Sequence, residues 1–166
     1  MMINNNEYTN RLSPLVIDEE EAISGLAAKI YELHEEIAKK EPCYKVSLAE
    51  MDKRTTLGKI ESVLSTAFCS YFGYSPLERY EDIFDQLCDL TWHLAKDHIF
   101  QDGNKRTSIW VLFSLLGSQC IEITFKDSPE PDQNHYYQWI QDLVSGIRDR
   151  ENLAEELRSC ASIDET

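Results

Sequence analysis

The stretch His98-Ile-Phe-Gln-Asp-Gly-Asn-Lys-Arg106, continued by Thr107-Ser-Ile-Trp-Val-Leu-Phe-Ser-Leu-Leu116, decides how the rest of the chain is arranged. Its second half is apolar at almost every position from Ile109 onward, which predicts a helix that is buried on all sides. In its first half, Asp102-Gly103-Asn104 is typical of a turn that leads into a helix. The stretch therefore predicts a buried central helix that starts directly after this turn.

The start of this helix, near Asn104, is expected to offer free backbone N–H groups, which make a helix N-terminus a site for anions. Lys105 and Arg106 lie at the same place, although each cation there opposes the helix dipole by roughly 0.3–1 kcal/mol. Two cations in this position indicate that an anion such as a phosphate completes the site. Upstream, His98 supplies a candidate base and Asp102 a candidate metal ligand. The alternative is an ordinary loop with a solvated Lys–Arg pair and a packed histidine.

Composition sets limits on the class of protein. A chain of 166 residues fits a single domain, 1–166, in which we expect residues 1–12 and 161–166 to be loose tails. The formal charge of −14 argues against a nucleic-acid binder, which needs a basic surface. Five cysteines without a paired spacing favour a reducing compartment, and no run is long and apolar enough for a membrane span. We expect a cytoplasmic protein without a membrane partner.

Apolar residues recur at helical spacing through most of the chain, so helices should dominate. Only one short segment, from Ile121 to Phe125, alternates like a strand. His34 lies among charged residues and is expected to be solvated, whereas His93 is expected to be packed or half-exposed. The aromatic residues near the end of the chain are expected to pack in the core rather than form a binding face. The predicted helices cover Asp18 to about Lys40, Leu57 to Tyr71, Ser75 to Lys96, Asn104 to Gly117, Tyr136 to Ile147, and the region of Leu153 and Leu157; the aromatic residues are Tyr136, Tyr137 and Trp139.

The pattern His98-x-Phe100-x-Asp102-Gly103-Asn104-Lys105-Arg106-Thr107 resembles the signature of the Fic/Doc family, and specifically of its death-on-curing (Doc) branch. The AMP-transferring Fic branch has Gly where this chain has Lys105, and a second Arg where it has Ile109. The resemblance covers roughly residues 47 to 160. It implies an all-α fold, a Fic-like helical bundle around the buried central helix. It also implies a small β-hairpin flap, placed around Met51 to Thr56, that aligns the backbone of a target protein.

The resemblance also implies roles for the residues of the motif. His98 would act as the general base, and Arg106 would serve catalysis beside it. Asp102 would hold Mg²⁺, and Phe100 would anchor the loop in the core, while the role of Thr107 stays open. The phosphates of ATP would be bound by backbone N–H groups and cationic side chains of Gly103, Asn104, Lys105 and Arg106.

The reaction implied is the one of Doc toxins, which transfer the γ-phosphate of ATP to a threonine of elongation factor Tu and arrest translation. Lys105 would crowd the pocket that terminal phosphates occupy in AMP transfer, and Ile109 cannot bind phosphate. Protein AMPylation is the alternative reaction, and a catalytically silent binding module or a nucleic-acid-binding regulator are alternatives of another class. The self-inhibitory Ser/Thr-x-x-x-Glu motif is absent at Glu151-Asn152, where Ile147 stands four residues before. A separate antitoxin is therefore expected to be the inhibitor.

Overall fold

The computed structural model describes residues 11–40, 52–124 and 134–163. These residues form seven helices and one small antiparallel sheet of two strands, so the predicted all-α fold is confirmed. No helix in these ranges combines the length and the apolar run that crossing a bilayer requires. The elements are α1 (Glu20–Lys40), α2 (Lys53–Phe68), α3 (Pro76–Arg79), α4 (Ile83–Lys96), α5 (Asn104–Ser118), β1 (Ile121–Ile123), α6 (His135–Ser145), α7 (Arg150–Cys160) and β2 (Ala161–Ile163).

Helix α5 contacts α4, α1, α6 and β1, and it has five buried side chains against nine in α4. Its bounds agree with the predicted ones, but its burial does not. The buried side chains lie along one face and include Val111, Leu112 and Leu116, whereas Trp110 is 56% exposed. The expectation of a helix buried on all sides is therefore wrong. One face packs against the bundle, and the apolar residues of the other face form the wall of a cavity.

The flap predicted around Met51 to Thr56 is wrong for the described part of that segment. Helix α2 begins at Lys53, because the carboxylate of Asp52 caps it by accepting a hydrogen bond from the backbone N–H of Arg54 at 3.2 Å. Residues 41–51 lie outside the described ranges. A local cap thus extends the helix over residues in which the sequence shows no sustained helical period.

The helix predicted from Ser75 to Lys96 is two helices. Its start is as expected, since Glu78 accepts a hydrogen bond from the backbone N–H of Ser75 at 2.9 Å in a capping box. However, α3 ends at Arg79, and Asp82 starts α4 by accepting from the backbone N–H of Asp85 at 2.9 Å. A second capping residue inside an apolar periodic stretch therefore divides it.

The sheet joins two short segments that are far apart in the sequence. In β1 and β2, Ile121 lies opposite Ile163 and Ile123 opposite Ala161. The strand predicted after the central helix is confirmed, but residues 161–163 are not part of a loose tail. The small sheet of this fold lies beside the end of α5, and none of its residues belongs to the predicted flap.

Gln86 is a buried polar side chain that fastens three segments together. It is fully buried on α4, and its amide oxygen accepts from the backbone N–H of Leu15 at 2.6 Å. Its amide nitrogen donates to the carbonyl oxygens of Leu15 at 2.7 Å and Ala67 at 2.9 Å. The amide therefore supplies hydrogen bonds to a buried backbone group of Ala67 and to partly buried backbone groups of Leu15.

Replacing Gln86 by leucine should destabilise the protein. The Gln86→Leu variant leaves the buried carbonyl group of Ala67 and the partly buried backbone groups of Leu15 without these partners, and each unsatisfied buried group costs about 1–3 kcal/mol. Urea unfolding followed by circular dichroism should show a free energy of unfolding lowered by at least about 2 kcal/mol. Gln138→Leu, at an exposed position of α6, is the matched control and should stay within about 0.5 kcal/mol of the wild type. Equal stabilities of the two variants would contradict the role given to Gln86.

Candidate active site

His98 lies directly after the capping residue of α4, in a backbone conformation with φ of +50°. For a residue other than glycine this left-handed conformation costs roughly 1–2 kcal/mol, so neighbouring contacts must hold it. The ammonium group of Lys59, on α2, donates to the carbonyl oxygen of His98 at 3.4 Å. The side chain of His98 is exposed and borders two cavities. Its imidazole is therefore accessible from two sides.

The side chain of Asn104 closes the loop that follows His98. Its Oδ1 atom accepts from the backbone N–H of Phe100 at 2.9 Å, and its Nδ2 atom donates to the carbonyl oxygen of Phe100 at 2.8 Å. Phe100 is 2% exposed, so the expectation that it anchors the loop in the core is confirmed. The first residue of α5 thus fixes the backbone two residues after His98.

Gly103 is the N-cap of α5, with φ of +77°. Glycine adopts this conformation easily, which agrees with the turn predicted at Asp102-Gly103-Asn104. The carbonyl oxygen of Gly103 accepts from Thr107 at 2.9 Å, whereas its N–H donates to the carboxylate of Asp102 at 2.7 Å. That N–H is therefore engaged with Asp102, contrary to the expected cradle. Geometry leaves the N–H groups of the first turn, from Asn104 onward, without acceptors inside the helix.

A cavity of about 990 Å³ opens at the start of α5, between this helix and α6. This volume lies near the upper end of the range of small-molecule sites, about 300–1,000 Å³. One end of the cavity carries charged and titratable groups, and the other end is apolar and aromatic. The charged and titratable residues are Lys96, His98, Asp102, Lys105 and Arg106; the apolar and aromatic residues are Ile109, Trp110, Phe113, Tyr136, Tyr137, Ile140 and Val144.

The aromatic residues of α6 divide between core and cavity. Trp139 is 3% exposed and packs in the core, as expected. Tyr136 and Tyr137 line the cavity instead, and Tyr136 meets Phe113 edge to face at 4.7 Å between ring centroids. The expectation of core packing is therefore wrong for these two tyrosines. Contacts with residues of α5 determine that these side chains line the cavity, and the sequence of α6 alone does not indicate such contacts.

The three charged residues Asp102, Lys105 and Arg106 differ in their contacts and exposure. The ammonium group of Lys105 donates to the amide oxygen of Gln141, on α6, at 2.6 Å. The side chain of Arg106 is exposed and also lines the cavity. Asp102 is exposed as well, and within the described ranges it does not belong to any cluster of three or more histidine, cysteine or acidic residues. A lone carboxylate suits Mg²⁺, which takes one or two carboxylates and completes its shell with phosphate and water.

His34 was expected to be solvated, and this expectation is also wrong. It is 3% exposed, and its ring stacks on Phe100 at 3.7 Å between centroids, with 11° between the planes. Its Nδ1 atom is 3.0 Å from the hydroxyl oxygen of Thr107, itself 1% exposed. A phosphate contact for Thr107 is therefore not supported, because its hydroxyl faces His34. The spacing of His34 from Ile30 and Ile37 on the buried face of α1 was the available signal.

Burial lowers the pKa of His34 below its usual value, and the negative charges of Asp102 and Glu35 oppose this effect only in part. The neutral imidazole is therefore the form that the fold favours. Through its stacking on Phe100 and its bond to Thr107, it connects α1 with both the loop and the first turn of α5. The position of α1 is thus coupled to the geometry around His98.

A second cavity of about 360 Å³ lies on the other side of His98, against the start of α2. Its lining is mainly polar at the α2 end, with Asp52, Thr55 and Lys59, and includes Gln101 of the loop. His98 therefore separates a large cavity with a cationic end from a smaller polar groove. Such an arrangement allows one imidazole to meet two different reactants.

A model of the Fic/DOC family matches residues 22–116, which is more than half of the chain. The chain therefore belongs to the Fic/DOC family, whose members are transferases that modify target proteins with groups from nucleotides. The match begins inside α1 and ends inside α5, so it starts earlier and ends sooner than the expected range of 47 to 160. No curated protein and no solved structure matches the chain.

The pH dependence of stability should report the burial of His34. A histidine whose folded pKa is lowered contributes stability that is complete above its unfolded pKa, about 6.5, and is lost as pH falls towards the folded pKa. The His34→Gln variant lacks this titration. The stability advantage of the wild type over His34→Gln, measured by urea unfolding, should therefore shrink between pH 7.5 and pH 5. Parallel stability curves over this range would contradict a buried, neutral His34.

Proposed function

We propose that this protein transfers the γ-phosphate of ATP to a hydroxyl group of a target protein, as the Doc branch of its family does. The observation that carries the proposal is the setting of Lys105 and Ile109 in the large cavity. Lys105 lies beside Arg106 at its charged end, whereas Ile109, one turn further along α5, belongs to its apolar wall. Phosphate-binding cations are therefore concentrated next to His98 and do not continue along α5.

The charges of the cavity favour a phosphate chain at this end. The first turn of α5 supplies backbone N–H groups, and Lys105 and Arg106 supply positive charge in a chain whose formal charge is −14. The aromatic end, with Trp110 and Tyr136, offers flat apolar surfaces to a nucleobase. A nucleotide with its terminal phosphate beside His98 would thus meet complementary chemistry at both ends.

The proposed chemistry needs few groups from the protein. The imidazole of His98 takes the proton from the acceptor hydroxyl, and the oxygen then forms a bond to the γ-phosphorus while the bond to the ADP oxygen breaks. Arg106 stabilises the charge of the transferred group. Asp102 would hold Mg²⁺ against the phosphates, where the ion neutralises their charge. Asn104 keeps the loop between His98 and Asp102 in place.

Two parts of the proposal come from the resemblance to Doc proteins. The target would be a threonine of elongation factor Tu, so that the protein is a cytoplasmic toxin that arrests translation. Its activity would be controlled by a separate antitoxin. Elongation factor Tu is therefore the first acceptor in the experiment below.

The position of the transferred label tests the reaction. The purified protein is incubated with elongation factor Tu, and separately with a cell extract, in the presence of ATP labelled at the α- or the γ-phosphate. We expect incorporation from γ-labelled ATP alone. The His98→Ala variant should be slower by about 10²–10⁴-fold, the usual effect of losing a general base. Label from the α-phosphate would instead assign nucleotidyl transfer, and no label in either case would refute the transferase activity proposed here.

The role of Asp102 is tested by the dependence on Mg²⁺. Chelation with EDTA should abolish transfer by the wild type. In Asp102→Asn the amide cannot supply a negative ligand, so half-maximal rate should need at least about 10-fold more Mg²⁺. Glu122→Gln, on β1, is a suitable control because it also removes one carboxylate. An unchanged Mg²⁺ requirement in Asp102→Asn would exclude Asp102 as the metal ligand.

A further inference from the structure

The contact between Lys105 and Gln141 joins the start of α5 to α6 across the large cavity. The Nζ atom of Lys105 and the Oε1 atom of Gln141 are 2.6 Å apart, and both residues are partly buried and line the cavity. The two residues are 36 positions apart in the sequence. The contact therefore exists only because α6 packs against α5.

The hydrogen-bond partner of Lys105 carries no charge. The chain has 30 acidic residues, yet the hydrogen-bond acceptor of Lys105 is a neutral amide, and in the described part of the chain no carboxylate forms an ion pair with it. Gln141 thus fixes the position of the ammonium group without neutralising its charge. An ammonium group has three donors, and the amide occupies one of them.

We infer that Gln141 is the positioning residue that sets which phosphate of the bound nucleotide faces the acceptor. By holding Lys105 over the charged end of the cavity, it excludes an arrangement in which the terminal phosphates extend along α5 past Ile109. It leaves Lys105 charged, so that the terminal phosphate can bind beside His98. This inference rests on the proposed function and concerns its specificity.

The physical reason is the flexibility of lysine. Its four-carbon side chain has many rotamers, and an untethered Lys105 could turn away from the cavity into solvent. The cavity would then have more room for phosphates beyond the first turn of α5. The hydrogen bond to Gln141 removes most of this freedom. The steric effect of Lys105 on nucleotide orientation therefore depends on a residue of another helix, outside the matched region 22–116.

The experiment compares the ratio of α-label to γ-label transferred by the wild type and three variants. Gln141→Leu removes the acceptor, and Gln141→Asn shortens the side chain so that it no longer reaches Lys105. Both should raise the ratio of α-label to γ-label to at least about 10-fold above the background ratio of the wild type, the size expected for one hydrogen bond to a charged group. In Gln141→Glu the carboxylate still holds Lys105 but neutralises it, so the ratio should stay low while the KM for ATP rises.

Gln138→Leu is the matched control, since Gln138 is an exposed glutamine one turn earlier on α6 that donates to Asp142 instead. Its label ratio and its KM should equal those of the wild type. A general loss of stability would lower both labels together and leave their ratio unchanged. The ratio therefore separates a positioning role from a purely structural one.

The two proposals fail in different ways. If the wild type transfers γ-label and Gln141→Leu and Gln141→Asn keep the same ratio, the role of Gln141 is refuted and the proposed phosphate transfer stands. If the wild type itself transfers α-label, or transfers none, the proposed function is refuted, and the role of Gln141 falls with it. A raised ratio in Gln141→Leu and Gln141→Asn, with a low ratio in Gln141→Glu, supports both.

Discussion

The pair of hydrogen bonds between the Asn104 side chain and the backbone of Phe100 is the constraint on which the site depends. Both backbone groups of Phe100 are engaged by one amide, at 2.9 Å and 2.8 Å. Because Asn104 is the first residue of α5, the loop cannot move without the helix. This fixes the chain on both sides of Asp102 next to the helix start. We call this pair of hydrogen bonds the Asn104 clamp. Without it, the positions of His98, Asp102 and the start of α5 would not be fixed relative to one another.

The Asn104 clamp is in turn supported by the burial of the Phe100 ring, which anchors the loop in the core. His34 covers this ring and bonds Thr107, so that α1 holds the loop from one side and the first turn of α5 from the other. A buried neutral imidazole costs less than a buried charge, which explains why the fold lowers its pKa. The loop that follows His98 thus packs against a second histidine, which belongs to the core.

The sequence allowed much of the fold to be predicted, and its errors have a common origin. Helix starts that rest on local hydrogen bonds, such as the one at Ser75, were predicted well because the partners lie within one turn. Asp82 and Asp52 also act as local caps, but the surrounding patterns predicted other structures. The apolar period predicted one continuous helix across Asp82, and the segment around Asp52 was predicted to be a flap. The pairing of β1 with β2 joins residues about forty positions apart, so no local pattern could indicate it.

By itself the sequence determined the order of groups along the motif and the left-handed turn at Gly103, because both depend on adjacent residues and on backbone sterics. Only the tertiary structure decided what each side chain meets. Trp110 is exposed to a cavity although its neighbours are apolar, His34 is buried although its neighbours are charged, and Lys105 bonds an amide on another helix. Burial and long-range contacts are set by the packing of remote helices, and the sequence around a residue carries no record of which helix will cover it.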